Sequence, residues 1–129
     1  MTENRMPVAL VVVIDVILVT VFGVIGRLSH AEGVFSDVPG LLNTIWPFLT
    51  AVLFAHLSAL VVRVRTERML PGIVVWAVTV IGGLALREAT GQGAAPAFIV
   101  VATLTLALFL LGWRGVLAIM RRVRRRPVA

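Results

Sequence analysis

Residues 11–20 of the chain read VVVIDVILVT. Nine of these ten residues suit the interior of a lipid bilayer, and the remaining one, Asp15, places a carboxylate within the apolar run. Because a helix that crosses a bilayer needs roughly 20 predominantly apolar residues, this stretch and its apolar flanks predict a transmembrane segment. A charge in such a segment requires compensation, so Asp15 is the first candidate functional residue.

The composition of the whole chain is typical of a membrane protein. Its 129 residues are 60% hydrophobic with a formal net charge of +6, and the mean hydropathy is +1.05. The absence of cysteine excludes disulfides and thiolate metal sites. The basic residues are all arginines and lie at the ends of apolar runs, which indicates membrane topology rather than nucleic-acid binding. We therefore expect no nucleic-acid partner, no metal site and no cofactor.

Hydropathy and proline positions predict an all-α integral membrane protein, a bundle of four transmembrane helices that forms a single domain over residues 1–129. Proline marks the start of three spans, as it often does in the first turn of a helix. The predicted spans are about 7–26, 44–62, 71–87 and 96–120, followed by a short Arg-rich tail at 121–129. The first apolar stretch is too long for a typical cleaved signal peptide.

The start of the second span has two alternatives. In the first, Thr44 caps the helix and Pro47 lies in the first turn, where proline is tolerated. In the second, the helix begins near Pro39, and Pro47 lies inside it and kinks it. The sequence alone does not decide between them.

The placement of arginine predicts that both termini are cytoplasmic, since cytoplasmic flanks of transmembrane helices carry an excess of basic residues. The opposite side of the predicted topology has only Arg27 and Arg87. This asymmetry indicates one orientation for a multi-pass protein of the cell inner (plasma) membrane. The arginines on the cytoplasmic side are Arg5, Arg63, Arg65, Arg68, Arg121, Arg122, Arg124, Arg125 and Arg126. We expect the C-terminal cluster among them to bind anionic lipid headgroups of the bilayer.

The first and third spans share a short pattern. Residues 19–23 read VTVFG, residues 78–82 read VTVIG, and an arginine follows each of them, Arg27 and Arg87 respectively. The similarity predicts a parallel repeat of two helical hairpins, since membrane transporters are often built from repeats. Chance matching in a valine-rich chain is the alternative explanation.

Helical rise places four polar or amphipathic side chains in one layer, about 8–12 Å from the predicted cytoplasmic ends of the spans. They are Asp15, His56, Trp76 and Arg114. A lone central charge costs about 2.5–3.5 kcal/mol on insertion scales, so we expect Arg114 to pair with Asp15, with His56 as a further partner. This layer is either a proton, cation or ligand site, or a static contact that fixes helix register.

A second group of candidates lies near the opposite ends of the spans. It comprises Arg27, His30, Trp46, Arg87 and Glu88. Arg27 is expected either to pair with Glu88 or to bind an anion together with Arg87. An ordinary interfacial belt of Trp and Arg is the alternative.

The third span carries a stripe of residues that recur on one helix face: Gly72, Trp76, Thr79, Gly83 and Arg87. Small residues and threonine are common where membrane helices pack closely, so Gly72, Thr79 and Gly83 predict a helix-packing face. The alternative is that this face forms the wall of a transport pathway.

Four motifs together resemble a known family: GRLSH (26–30), TIWPF (44–48), WAVTVIGGLALR (76–87) and LGWRG (111–115). Through them, the segment from Val8 to Arg114 is similar to domain-of-unknown-function family 3054, small four-span prokaryotic membrane proteins of actinobacteria and haloarchaea. The resemblance implies no activity. The signature positions that it implies are Asp15, Arg27, Ser29, His30, Trp46, Pro47, Trp76, Thr79, Arg87, Trp113 and Arg114.

Two functions fit these residues. The first is a small transporter or channel that works as a homo-oligomer with an intramembrane Asp/Arg site, because four short spans enclose little volume alone. The alternative is a lipid- or quinone-binding protein, or an accessory subunit of a membrane complex. We do not expect an enzyme, since the chain has no Cys and no Tyr, and its two histidines fall on opposite sides of the membrane.

Overall fold

A computed structural model describes residues 6–29 and 37–125 of the chain. Those residues form four α-helices and no strand: α1 (Val8–Ser29), α2 (Val38–Val61), α3 (Met69–Ala89) and α4 (Pro96–Arg124). Each helix is long and apolar enough to cross a membrane. The prediction of an all-α fold with four helices long and apolar enough to cross a membrane is thus confirmed.

The start of α2 follows the second of the two alternatives. Asp37 is the N-cap, and its carboxylate accepts a hydrogen bond of 3.1 Å from the backbone N–H of Gly40. Thr44 lies inside the helix, where its hydroxyl donates to the carbonyl of Gly40 at 3.0 Å. The prediction of Thr44 as the cap is therefore wrong, because Asp37 satisfies the free backbone donors earlier in the chain. Pro47 is internal to α2.

The other helices also extend past their predicted ends. α1 continues to Ser29, α3 runs from Met69 to Ala89, and α4 continues to Arg124, inside the predicted Arg-rich tail. Arginine is a good helix former, and its charge interacts favourably with the C-terminal end of a helix. A hydropathy pattern shows where the apolar residues stop. The helical backbone can continue past that point, so the helix ends later than the pattern predicts.

The four helices pack in a ring, in which α1 and α3 each contact α2 and α4. The short connections make sequential helices antiparallel, so the start of α1, the end of α2, the start of α3 and the end of α4 share one end of the bundle. We call this the inner end and the opposite one the outer end. Within the part of the chain that the structure describes, the backbones of the diagonal pairs α1–α3 and α2–α4 do not come close to each other, although side chains of α2 and α4 meet in the core.

The core of the bundle is filled by aliphatic and aromatic side chains. Phe22 and Phe48 meet edge to face with ring centroids 5.4 Å apart, and Phe98 lies 6.3 Å and 6.1 Å from them. Leu106 and Leu110 of α4 are completely buried beside this group. Many large apolar side chains point outward instead, as lipid-facing surfaces require.

Candidate functional site

A buried ion pair joins the first and last helices near the inner end. Asp15 of α1 and Arg114 of α4 both have 0% exposure. The Arg114 guanidinium binds the carboxylate with two parallel hydrogen bonds, Nη1 to Oδ1 at 3.0 Å and Nη2 to Oδ2 at 2.6 Å. This fork geometry combines charge attraction with directional bonding and is the strongest form of such a pair.

The carboxylate of Asp15 has two further donors. The indole Nε1 of Trp113 donates to Oδ1 at 2.9 Å, and Nε2 of His56 lies 2.7 Å from Oδ2. A carboxylate offers about four lone-pair sites. All four are therefore occupied, which is the arrangement expected for an ionised Asp15.

Arg114 makes additional bonds that tie it to the backbone. Its Nε donates to the carbonyl of Thr66 at 2.6 Å, and its Nη1 donates to the carbonyl of Leu110 at 2.7 Å. Its side chain lies directly over Gly72 of α3, where an added Cβ would collide with Cδ and Nε of Arg114. Arg114 thus contacts α1, α3 and the α2–α3 connection at once.

His56 connects Asp15 to the α2–α3 connection. Its second ring nitrogen, Nδ1, lies 3.2 Å from the hydroxyl of Thr66. With the proton on Nε2 donated to Asp15, Nδ1 accepts from that hydroxyl. Asp15, His56, Thr66, Trp113 and Arg114 form what we call the inner cluster. The described residues leave no buried side-chain N or O atom without a hydrogen-bond partner.

A cavity of about 260 Å³ opens at the inner end, next to the inner cluster. Thr66 belongs to both, since it lines the cavity and its hydroxyl contacts His56. The lining residues are Met6, Val8, Val11, Leu60, Arg63, Val64, Arg65, Thr66 and Glu67.

Glu67 is the buried acid of this cavity. Its exposure is 4%, and it forms an ion pair with Arg65. Burial raises the pKa of Glu67, but hydrogen bonds from Arg65 and from the backbone N–H groups of Glu67 and Met6 outweigh it, so that the pKa is lowered overall. Glu67 is therefore ionised at neutral pH and compensates the charge of Arg65.

Trp76 does not join the inner cluster, although the sequence placed it at the same depth. Its indole Nε1 donates to the backbone carbonyl of Thr103 at 3.1 Å, which links α3 to α4. Gly72, one turn earlier on the same face of α3, contacts Arg114, so Trp76 lies at a different depth, farther from the inner end than the inner cluster.

The candidate residues near the outer end of the bundle do not come together in one cluster. Arg27 donates to Thr44 Oγ1 at 3.1 Å and to Asp37 Oδ2 at 3.0 Å. The structure pairs Arg27 with Asp37, and no described contact joins Arg27 to Glu88, which is exposed. Trp46 is half-buried on α2, and His30 falls outside the described residues.

Arg87 binds groups at the outer end of the bundle, in the α3–α4 connection and on α4. Its Nε donates to the carbonyl of Gly93 at 3.1 Å, its Nη1 donates to Gln92 Oε1 at 3.0 Å, and its guanidinium stacks 4.4 Å from the ring centre of Phe98. Arg27 binds the start of α2, whereas the partners of Arg87 lie in the α3–α4 connection and on α4. The described contacts do not bring these two arginines to a common partner.

The stripe on α3 is a helix-packing face. Gly72, Thr79 and Gly83 are all buried. Gly83 lies against the ring of Phe48, which leaves no room for a Cβ, and Thr79 donates to the carbonyl of Val75 in its own helix at 2.7 Å. These contacts fit the packing interpretation of the stripe.

A family model described as "Protein of unknown function (DUF3054)" matches residues 12–117, which is most of the chain and includes the whole inner cluster. The chain belongs to this family. Searches of curated proteins and of solved structures found no match. Membership in DUF3054 thus confirms the resemblance seen in the four motifs, and it brings no activity with it.

Two members of the inner cluster of this DUF3054 chain were not among the predicted site residues. Trp113 is adjacent to Arg114 in the motif LGWRG, so a signal for it was present. Thr66 lies in a connection and acts partly through its backbone carbonyl, for which a sequence pattern gives no signal.

Proposed function

We propose that this DUF3054 protein is a small membrane transport protein whose inner cluster binds and releases a proton. Both termini face the cytoplasm in this proposal, with the inner end of the bundle on that side of the plasma membrane. The observation that supports it is the position of His56, which lies between the buried carboxylate of Asp15 and Thr66 at the cavity. Ionisable residues inside membrane segments commonly mark proton and ion pathways.

Protonation of His56 would change the balance of charge in the inner cluster. With His56 neutral, Asp15 and Arg114 sum to zero. A proton on His56 attracts the Asp15 carboxylate and repels the Arg114 guanidinium, while Trp113 and Thr66 contribute no charge. Arg114 then competes with His56 for Asp15 Oδ2, which both contact in the structure. Since Arg114 joins three elements, loosening it alters how α4 packs on α1 and α3.

Such a change supplies what a transporter requires, namely two arrangements whose populations respond to a bound ion. The described core is filled around Phe48 and Leu106, so we propose that a substrate pathway forms between copies of the chain in a homo-oligomer. A closed symmetric dimer is the commonest assembly of this kind.

A second function has its own supporting observation. All four acceptor sites of Asp15 are already filled, so a transported cation would have to displace a strong donor. This favours a static lock, by which we mean an inner cluster whose contacts do not change and only fix helix register. The protein then acts as an accessory subunit or as a lipid- or quinone-binding component of a membrane complex. In that case His56 stays neutral at all physiological pH values.

Nitrogen NMR of ¹⁵N-labelled histidine distinguishes the two functions directly. The chain has two histidines, and a His30→Gln background leaves His56 alone. The transport proposal expects His56 to gain a proton as the pH falls from about 8 to about 5, the range in which histidine changes charge. Asp15→Asn is the matched variant, because it removes the negative charge that His56 contacts, and its spectrum should differ from that of the wild type.

A spectrum that keeps the neutral Nε2–H tautomer over this whole range overturns the transport proposal and supports the static lock. Native mass spectrometry in mild detergent tests the oligomer separately. A discrete dimer or trimer is expected for a shared pathway, and a monomer at all protein concentrations contradicts it.

A further inference from the structure

The cavity at the inner end has an amphipathic lining. Aliphatic side chains of Val8, Val11, Leu60 and Val64 form one part of it, and Arg63, Arg65 and Glu67 form the charged part. Its volume of about 260 Å³ is just below the range of small-molecule pockets, roughly 300–1,000 Å³. A cavity of this size holds a headgroup and the first part of a hydrocarbon chain.

Arg63 has an unusual backbone at the edge of this cavity. Its φ is +60°, and it is the one non-glycine residue with positive φ in segments 6–29 and 37–125. The structure requires this conformation, because the N–H of Val64 turns back to the carbonyl of Ala59 at 2.9 Å to end α2. Glycine normally takes this position. An arginine kept in a strained position indicates a use for its guanidinium.

Among the described residues that line the cavity, the charges of the side chains leave one net positive group. Arg65 and Glu67 are paired with each other, so their charges compensate. Arg63 is exposed and makes no ion pair within the described ranges of the chain. A guanidinium matches the geometry of phosphate oxygens and can bind two of them at once. The aliphatic lining next to it suits a hydrocarbon chain rather than a fully hydrated anion.

We propose that this cavity binds an anionic phospholipid, with the phosphate on Arg63 and the start of an acyl chain along Val8, Leu60 and Val64. Basic pockets between transmembrane helices bind lipid headgroups in this way. The site is distinct from the C-terminal Arg cluster, which contributes no residue to the lining of this cavity. It also does not depend on any proton step at His56, so either proposal can fail without the other.

Native mass spectrometry with defined lipids tests the site. The wild-type protein in mild detergent is titrated with phosphatidylglycerol and, separately, with phosphatidylcholine of the same acyl chains. We expect one phosphatidylglycerol to be retained at low lipid concentration and phosphatidylcholine to be retained far less. Arg63→Gly should weaken this first binding event by about tenfold or more, the effect of losing one charge-assisted hydrogen bond.

Arg68→Ala is the matched control, because it removes the same charge from the same connection at an exposed residue that does not line the cavity. It should leave the first phosphatidylglycerol in place. Glycine is favoured at position 63, so a loss of binding in Arg63→Gly is not explained by unfolding, and a thermal melt of each variant verifies this. Equal weakening by both variants overturns the proposal, as does equal retention of the two lipids. Binding of soluble glycerol phosphate as tight as that of the lipid also overturns it, because the aliphatic lining would then contribute nothing.

Discussion

At the scale of single residues, the inner cluster explains how a charge is kept inside a helix of a membrane protein. Asp15 is buried, yet each of its oxygens accepts two hydrogen bonds. Arg114 supplies an equal and opposite charge at hydrogen-bond distance. The penalty for removing two charges from water is offset only when the geometry and the remaining bonds are good, as they are here.

Removing one partner of this pair should be far worse than removing both. We expect Asp15→Asn and Arg114→Gln each to lower the free energy of unfolding by about 3 kcal/mol, because the other charge stays buried without compensation. The double variant should recover part of that loss. Unfolding of the four proteins in mixed micelles gives the coupling energy. A coupling near zero would mean that the pair contributes no specific stabilisation.

Stability should require glycine at position 72 because the side chain of Arg114 lies against it, and not because glycine is flexible. In Gly72→Ala the new Cβ collides with Cδ and Nε of Arg114, so we expect a loss of about 1–3 kcal/mol in unfolding free energy. Gly112 of α4 is the control, since a Cβ there meets nothing within 4 Å. Gly112→Ala should be neutral or stabilising, because alanine favours helix. Similar losses in both variants would exclude the steric explanation.

Glu67 should make the protein sensitive to acid. Its pKa in the folded protein is lower than the ordinary value of 4.5, so its stabilising contribution is complete above that pH and is lost as the pH falls through the lower folded value. Thermal unfolding of wild type and Glu67→Gln, measured from about pH 7 to about pH 3, isolates this contribution. The difference in Tm between the two proteins should be largest at pH 7 and should shrink in acid. A constant difference contradicts this assignment.

At the scale of the helices, α2 and α3 end with the same backbone hydrogen bond and the same backbone conformation, although the residues differ. In each, an amide just past the helix bonds back to a carbonyl of the last turn, Val64 to Ala59 and Gln92 to Arg87. The residue between takes positive φ, which is +60° at Arg63 and +79° at Gly91. Glycine adopts this conformation without strain and arginine does not.

Exchanging the residue types at these two ends should shift stability in opposite directions. Arg63→Gly should raise the free energy of unfolding by about 0.5–1 kcal/mol, since relief of the left-handed strain exceeds the entropy that glycine adds to the unfolded chain. Gly91→Ala should lower it by about 1 kcal/mol for the converse reason. Denaturant unfolding in micelles measures both. A loss of stability in Arg63→Gly would show that the guanidinium itself stabilises the fold.

The helices also show what a sequence pattern can and cannot predict. Hydropathy located all four spans, and helical rise put Asp15, His56 and Arg114 at one depth. Both predictions succeeded because the length of a span and the depth of a residue depend only on residue number along a helix. The same reasoning misplaced Trp76, because α3 begins at Met69 rather than at residue 71, so Trp76 lies farther from the inner end than the predicted span implied. It could not rank Asp37 above Thr44 as a cap, because both residue types cap helices. The role of Thr66 could not be predicted from the sequence, because it depends on the path of the α2–α3 connection.

At the scale of the whole molecule, the arginine distribution predicts the orientation in the membrane. The chain has no cysteine, so single cysteines at Ala95 and Val123 report the outer and inner ends of the bundle. Both residues are exposed. In intact cells, a membrane-impermeant maleimide should label Ala95→Cys only, and Val123→Cys should react after the membrane is permeabilised. The reverse pattern would place both termini outside.

The two charges of the inner cluster lie 99 residues apart in the chain. At 5–20 residues per second, the ribosome adds Arg114 about 5–20 s after Asp15. The first helix therefore leaves the ribosome long before its partner exists, and its carboxylate must stay protonated or be held by the insertion machinery in the meantime. Completion of the last helix is then the event that closes the bundle. Chains truncated before it should be recognised by quality-control proteases, although three of their helices are long enough to cross the bilayer.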